Sequence, residues 1–130
     1  MATVTPTITL ASTDLLSDAM SFSTNTAVSC LNTTGLARAP ITSTAVGTAS
    51  GQVTLYTVDD YAAIAYLYLK NTDATSTDYV YVYKDGGTDN LLKLAGGDWA
   101  FLPLIADDTL KAWATTSGTV IEWMVFGTDQ

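Results

Sequence analysis

Hydrophobic and polar residues alternate with a period of two along most of this chain. In "AAIAYLYLKN" (62–71), Tyr66 and Tyr68 fall on one face of such a pattern, and Leu67 and Leu69 fall on the other. This period is typical of β-strands, because successive side chains of a strand point to opposite faces of the sheet. Segments of this kind predict strands at 3–10, 21–31, 36–46, 52–58, 62–71, 79–84, 90–95, 98–104, 109–116 and 119–126.

Turn-forming residues separate these strands at intervals of about 8–12 residues, which is the spacing of β-sandwiches and barrels. No linker or internal repeat divides the 130 residues, and this length fits one domain. The prediction is an all-β fold: a single antiparallel β-sandwich or jelly roll over residues 1–130, with about 8–10 short strands. The strands from residue 62 onward are expected to form a nearly uninterrupted meander.

Residues 1–20 are expected to form an extended N-terminal arm or edge strand. The strand predicted at 3–10, "TVTPTITL", contains Pro6, and proline is confined to sheet edges because it has no amide hydrogen to donate. An arm of this kind can add a strand to the sheet of a neighbouring molecule. Residues 12–20 are long enough for one helical turn, which Ser12 or Thr13 would cap.

The segment 94–104, "LAGGDWAFLPL", enters an apolar strand through two glycines and Asp98. Glycines between two strands predict a hairpin, in which Asp98 accepts local backbone amides. Trp99 and Phe101 fall on one face of the following strand, and the opposite face is equally apolar. We therefore expect cover on both sides, from the core on one face and from a second subunit or a loop of the same sandwich on the other.

Charge excludes several classes of partner. The net charge is −8, and only five lysines and arginines are scattered along the chain. Nucleic acids and anionic membranes are bound by clustered basic residues, so neither is an expected partner. We expect no secretory signal and no membrane span, and therefore synthesis in a reducing cytoplasm. The single cysteine, Cys30, lies in the apolar run "AVSCL" and is expected to be buried and unreactive.

Catalytic chemistry has few candidate residues in this sequence. The chain contains no histidine, which excludes a Ser-His-Asp arrangement and a histidine-bound metal within it. Three pairs of carboxylates fall at predicted turns, where aspartates are usually solvated and bind nearby backbone amides. These carboxylate pairs are Asp59-Asp60, Asp85 with Asp89, and Asp107-Asp108. The prediction is a protein that is not an enzyme and that has no cofactor or metal.

Two further polar features have structural interpretations. Glu122 is the only glutamate and lies among apolar residues in "VIEWMVF"; it is expected to pair with Lys93 or Lys111 or to lie at a subunit contact. The segment "DGGTDN" (85–90) offers oxygen ligands but lacks the spacing of a calcium loop. Its glycines predict a hairpin turn instead.

Tyrosines are concentrated on two predicted strands. Tyr66 and Tyr68 share one strand face, and Tyr79, Tyr81 and Tyr83 share another. Cross-strand packing on the outer face of a sheet is one interpretation. A carbohydrate platform or a protein interface is the alternative, because tyrosine buries a large area and keeps a polar tip.

Residues 52–129 resemble small virion proteins of tailed bacteriophages, especially marine ones. The resemblance is carried by "AAIAYLYLKNTD", "DYVYVYKDGG", "LLKLAGGDWAFLPL" and "LKAWATTSGTVIEWMVFGTD". Their order is a strand ending in Lys-Asn, a Tyr/Val strand, a glycine turn entering an aromatic Leu-Pro strand, and an aromatic closing strand. The N-terminal third is similar only in being extended and rich in threonine and serine.

The resemblance implies a capsid decoration (cement) protein located on the virion surface. Such a protein would bind the major capsid protein of the phage and associate with itself, with a trimer favoured. Its alternatives are a tail or fibre module that binds host glycans and, less favoured, a carboxylate-dependent glycan hydrolase. The residues expected to contact partners are Thr3, Val4, Thr5, Ile8, Tyr66, Tyr68, Tyr81, Tyr83, Trp99 and Phe101.

Overall fold

The computed structural model describes residues 2–13, 20–25, 27–30, 32–47, 50–57, 64–105 and 108–127. In this part of the chain all regular elements are β-strands, and no helix has the length and hydrophobicity to cross a bilayer. The thirteen strands are β1 (Ala2–Val4), β2 (Thr7–Ser12), β3 (Met20–Asn25), β4 (Val28–Cys30), β5 (Asn32–Thr33), β6 (Ala37–Ile41), β7 (Val53–Tyr56), β8 (Ile64–Asn71), β9 (Val80–Lys84), β10 (Asn90–Leu94), β11 (Trp99–Ile105), β12 (Leu110–Ala114) and β13 (Thr119–Gly127).

Strands β6 to β13 form two antiparallel sheets that pack face to face. Sheet 1 has the order β10-β9-β12-β7, and sheet 2 has the order β11-β8-β13, with β6 and the short β5 both paired to the far edge of β13. From β8 onward the chain crosses between the sheets at every connection except the β9–β10 hairpin. Eight strands arranged in this way form a jelly roll. The predicted β-sandwich or jelly roll is therefore confirmed, and the expected meander is wrong.

The glycines before β11 form a crossover between the sheets, so the hairpin predicted there is wrong. Strand β10 pairs with β9, whereas β11 pairs with β8 in the other sheet. A Cβ atom on Gly96 would clash with the backbone carbonyl of Thr75, and Gly97 has a φ of +88°. Both positions therefore require glycine. Asp98 accepts a hydrogen bond from the amide of Ala95 at 3.0 Å, as predicted.

The glycine turn of "DGGTDN" has the predicted structure. It joins β9 to β10, which pair with each other in sheet 1. The amide of Gly86 donates to Asp85 Oδ1 at 3.1 Å. In this segment, the sequence pattern led directly to the observed hairpin.

The core lies between the two sheets and is built by alternate residues of their strands. Trp123 of β13 donates its indole N–H to the carbonyl of Leu55 in β7 at 3.1 Å, which joins the sheets through a buried hydrogen bond. Cys30 is buried, as expected. The core cluster contains Ile41, Val53, Leu55, Tyr56, Ala65, Leu67, Leu69, Val80, Val82, Leu94, Leu110, Ala112, Ala114, Ile121, Trp123 and Val125.

Asn71 is a buried polar side chain that joins three segments of the chain. It is fully buried, and its Nδ2 group donates to the carbonyls of Asp78 at 2.7 Å and of Leu94 at 3.2 Å. Its Oδ1 atom accepts the amide of Asp73 at 3.1 Å. One amide thus joins the end of β8 in sheet 2 to the start of β9 and the end of β10 in sheet 1.

The N-terminal strands form two small ladders. Strand β1 pairs with β4, and β2 pairs with β3, both antiparallel and within this chain. The single strand predicted at 3–10 is interrupted at Thr5-Pro6, between β1 and β2. Ser12 and Met20 belong to strands, and residues 14–19 of the predicted helical turn lie outside the described residues. We call β1 to β4 the N-terminal unit.

We predict that Asn71→Ala lowers the free energy of unfolding by about 2–4 kcal/mol, because it leaves buried backbone groups without hydrogen bonds. The matched control is Asn25→Ala, at an exposed position of β3, which should change stability by less than about 0.5 kcal/mol. Guanidinium unfolding of both variants measures the difference. Equal stability of the two variants would contradict the role of Asn71.

Candidate functional site

The outer face of sheet 2 carries a stack of three aromatic rings. Tyr66, Phe101 and Phe126 come from the three adjacent strands β8, β11 and β13. The ring centroids of Tyr66 and Phe126 are 5.6 Å apart, those of Tyr66 and Phe101 are 6.1 Å apart, and those of Phe101 and Phe126 are 6.2 Å apart. These separations lie in the range of favourable aromatic pairs. Sheet 2 therefore has a second apolar layer on the side away from the core.

The N-terminal unit lies beside this aromatic layer. Two neighbouring cavities, of about 270 and 260 Å³, are lined on one side by Pro6 and Ile8 and on the other by residues of sheet 2. Phe126 retains only 1% of its exposure. We call the combined space the apolar groove; its lining is Val4, Pro6, Thr7, Ile8, Thr24, Asn25, Val28, Tyr66, Tyr68, Trp99, Phe101, Met124 and Phe126.

Trp99 remains open to solvent at one end of the apolar groove. Its side chain lines the groove, yet the residue is 54% exposed. The residue begins β11, which is an edge strand of sheet 2. A large apolar side chain left exposed beside a groove is a common feature of protein and ligand interfaces.

A buried carboxylate lies on the same outer face of sheet 2. Glu122 is 8% exposed, and its Oε2 atom accepts the Nε–H of Arg38 at 2.6 Å. Its Oε1 atom accepts the hydroxyl of Tyr68 at 3.1 Å. Arg38 and Lys70 lie directly opposite Glu122 on the two flanking strands. The expected pairing of Glu122 with Lys93 or Lys111 is wrong, because neither strand that carries these lysines is a neighbour of β13.

The same contacts shift two pKa values in opposite directions. The hydrogen bond from Arg38 lowers the pKa of Glu122 below its ordinary value of 4.5, and the Tyr68 hydroxyl adds to this effect against the opposing effect of burial. Burial raises the pKa of Tyr68, and its hydrogen bond to Glu122 raises it further. Glu122 is therefore held as an anion and Tyr68 as a neutral donor. The arrangement fixes both side chains on the outer face of sheet 2.

Most of the residues predicted to contact partners meet at the apolar groove. Val4 and Ile8 contribute from the N-terminal unit, and four others contribute from sheet 2: Tyr66, Tyr68, Trp99 and Phe101. Thr3 and Thr5 are exposed on the N-terminal unit. Their role in binding a partner stays a prediction.

Tyr81 and Tyr83 lie away from the groove, on sheet 1. The ring of Tyr81 stacks on Trp113 with centroids 4.5 Å apart, and Lys93 Nζ lies 5.8 Å from its centroid. Tyr83 is only 1% exposed, and its hydroxyl donates to Gln52 Oε1 at 2.5 Å. Burial raises the pKa of Tyr83. Tyr81 thus has the expected cross-strand packing, and Tyr83 has almost no surface available for a partner.

Seven residues that line the groove are not among those predicted from the sequence to contact partners: Pro6, Thr7, Thr24, Asn25, Val28, Met124 and Phe126. For Pro6 the sequence indicates only an edge position. For Met124 and Phe126, alternation indicates only that they share a face of their strand with Glu122. The pairing of β13 with β8, which sets Phe126 opposite Tyr66, is a long-range contact that alternation does not reveal.

Two aspartates of the predicted carboxylate pairs, Asp85 and Asp108, form ion pairs with lysines. Lys111 Nζ lies 2.9 Å from Asp85 Oδ1, and Lys84 Nζ lies 2.6 Å from Asp108 Oδ1. Among the described residues, no three histidine, cysteine or acidic side chains are grouped to hold a metal ion. The pair Asp59-Asp60 and Asp107 lie outside the described residues.

Comparison with protein-family models, curated proteins and solved structures gave no match to this chain.

We predict that Glu122→Gln makes stability less dependent on acidic pH. Because the folded state lowers the pKa of Glu122, the unfolded chain takes up the proton first as the pH falls. The stabilisation from the charged side chain is therefore present above its ordinary pKa and is lost as the pH falls through the lowered value. The variant lacks this contribution at neutral pH and should lose less stability on acidification.

Denaturant unfolding at several pH values between neutral and strongly acidic measures this effect. The control is Asp89→Asn at an exposed turn position, which should follow the wild-type pH dependence. Identical acid profiles for wild type and Glu122→Gln would contradict the assignment.

Proposed function

We propose that this protein decorates the outside of a bacteriophage capsid and stabilises the shell. The observation that carries the proposal is the N-terminal unit. Its two ladders have no hydrogen-bonded neighbour strand from either main sheet among the described residues, and they lie against an apolar groove of the sandwich. Two-stranded ladders are only marginally stable alone. An additional contact with a neighbouring protein would stabilise them.

The fold and the charge support this proposal without being sufficient for it. Jelly rolls occur in viral capsid proteins, and also in lectins and cupins. The fold alone therefore does not distinguish between these functions, and the residues of the site have to. A net charge of −8 disfavours direct contact with nucleic acid. The resemblance over residues 52–129 adds the phage virion as the location. The partner would be the major capsid protein.

The N-terminal unit offers a physical route to that partner. Thr3 and Thr5 are exposed, and most of β2 is exposed as well. Each two-stranded ladder has outer edges with backbone groups that can pair with another strand. Strand addition gives affinity through backbone hydrogen bonds with little demand on sequence. Self-association as a trimer, implied by the resemblance, would repeat this contact around a local symmetry axis.

A glycan-binding tail or fibre module is the second candidate, and sheet 1 gives the observation that favours it. Tyr81 and Trp113 stack on each other with both rings partly exposed. The Trp113 indole donates to Asn90 Oδ1 at 2.9 Å, and Lys93 Nζ lies 3.8 Å from the centroid of Tyr79. Aromatic rings beside polar groups are suited to sugars. The two stacked rings cover each other, however, which leaves less ring surface for a ligand.

Antibody labelling of intact virions tests the proposed location. We expect gold particles over the whole head, because a decoration protein covers the coat shell. Label confined to the tail would contradict decoration and favour the glycan-binding module. Virions without any label would contradict both functions.

Binding to undecorated capsids tests the N-terminal contact. We predict that Thr3→Lys combined with Thr5→Lys weakens binding at least about tenfold, because two unpaired charges would be placed in the contact. The control, Ser117→Lys, changes an exposed turn on the sandwich and should bind as the wild type does. Circular dichroism checks that all variants are folded. Undiminished binding of the double variant would contradict the role of the N-terminal unit.

A further inference from the structure

Strand β11 is the longest uncharged edge strand of the two main sheets in the described part of the molecule. Natural proteins block exposed edges with charged residues, prolines, bulges or very short strands. Strand β10 has Lys93 and a register shift between Asn90 and Leu92, β6 has Arg38, and β7 has only four residues. Strand β11 has seven residues, "WAFLPLI", with no charge, and Pro103 is its one residue of a blocking type.

The backbone groups of alternate β11 residues point away from the sandwich. The amide of Asn71 in β8 donates to the carbonyl of Asp98 at 3.0 Å, so residue 98 faces β8. In an antiparallel strand, the backbone N–H and C=O groups of successive residues point alternately to the two sides of the strand. The backbone groups of Trp99, Phe101 and Pro103 therefore point away from β8, toward the open edge. Pro103 lacks an amide hydrogen, and the outer edge is where a strand tolerates this. In the described part of the chain, no other strand pairs with this side of β11.

We propose that β11 pairs antiparallel with β11 of a second copy of this chain, around a two-fold axis at Phe101. In this register the amide of each Phe101 donates to the carbonyl of Phe101 of the partner subunit. The amide of Trp99 donates to the carbonyl of Pro103 of the partner subunit. The missing amide of Pro103 leaves only the Trp99 carbonyl without a partner. The two copies of sheet 2 become one continuous sheet.

The side chains favour the same register. Trp99, Phe101 and Pro103 share the outer face of β11, since they alternate with Ala100 and Leu102, which pack against the core. Pairing at Phe101 sets Trp99 beside Pro103 of the partner subunit, on the same face of the joined sheet. This contact would cover Trp99, which is 54% exposed in the single chain.

The placement of exposed side chains favours a second copy as the occupant. Trp99 and Pro103 are both exposed and lie equally far from Phe101 on the same face of β11, so a two-fold axis at Phe101 sets the tryptophan of each copy beside the proline of the other. The net charge of −8 on each copy opposes association, and the uncharged strand β11 adds no local repulsion to it. Its two-fold pairing is distinct from a three-fold contact, and it is independent of the proposed capsid function.

The test compares two substitutions at exposed apolar side chains. Trp99→Lys places a charge in the proposed contact, whereas Leu91→Lys makes the same change on β10, where Leu91 is 58% exposed. We expect the wild type to form dimers, or hexamers if a three-fold contact also forms, in sedimentation velocity. Trp99→Lys should weaken the two-fold association at least about tenfold, and Leu91→Lys should leave it unchanged. Thermal unfolding checks the fold of both variants.

Three results would overturn the proposal: a wild type that stays monomeric at all concentrations, one that forms only trimers, or equal effects of the two lysines.

A double-mutant cycle then tests the register. Trp99 and Pro103 are about 13 Å apart along one strand, too far for direct coupling. Non-additive effects of Trp99→Ala and Pro103→Ala on the dimer dissociation constant would therefore report contact between subunits. Pro103→Ala also creates a backbone amide that can form a hydrogen bond. Its effect on the dissociation constant is the same with tryptophan or alanine at position 99, so it cancels in the cycle. Additive effects would contradict the axis at Phe101.

Discussion

The two sheets of this jelly roll are joined in their interior by hydrogen bonds from buried side chains, above all from Asn71 and Trp123. The Asn71 amide links the end of β8 to the carbonyls that begin β9 and end β10. A buried amide is costly unless each of its groups has a hydrogen-bond partner. These hydrogen bonds can form in only one relative position of the strands. The Trp123–Leu55 hydrogen bond links β13 to β7 in the same way. Apolar packing supplies most of the stabilisation, and these two side chains select the alignment.

This alignment leaves sheet 2 with apolar residues on both faces. Its inner face completes the core, and its outer face carries the stack of Tyr66, Phe101 and Phe126. An apolar outer face requires cover, and the N-terminal unit supplies part of it. The pair of Glu122 and Arg38 lies on the same face and is held by Tyr68. The molecule is thus a two-sheet sandwich with a layer on one side that shares no strand pairing with either sheet in the described residues.

These features favour a binding role. Asp85 and Asp108 form ion pairs with lysines, while the apolar groove and the exposed Trp99 offer surface to another molecule. The proposed capsid contact uses the N-terminal unit, and the proposed two-fold pairing uses the open edge of β11. The two contacts involve different backbone groups, so one does not require the other.

The sequence by itself determined the strands of the second half and several of their turns. Period-two alternation located β8 to β13 to within about two residues, and Asp85 and Asp98 have the predicted turn contacts. These features depend on neighbours in the chain. Only the tertiary structure decided that β10 and β11 belong to different sheets, that Glu122 binds Arg38, and that Tyr83 is buried. Each of these depends on which distant strand lies alongside, and alternation is equally compatible with many such pairings.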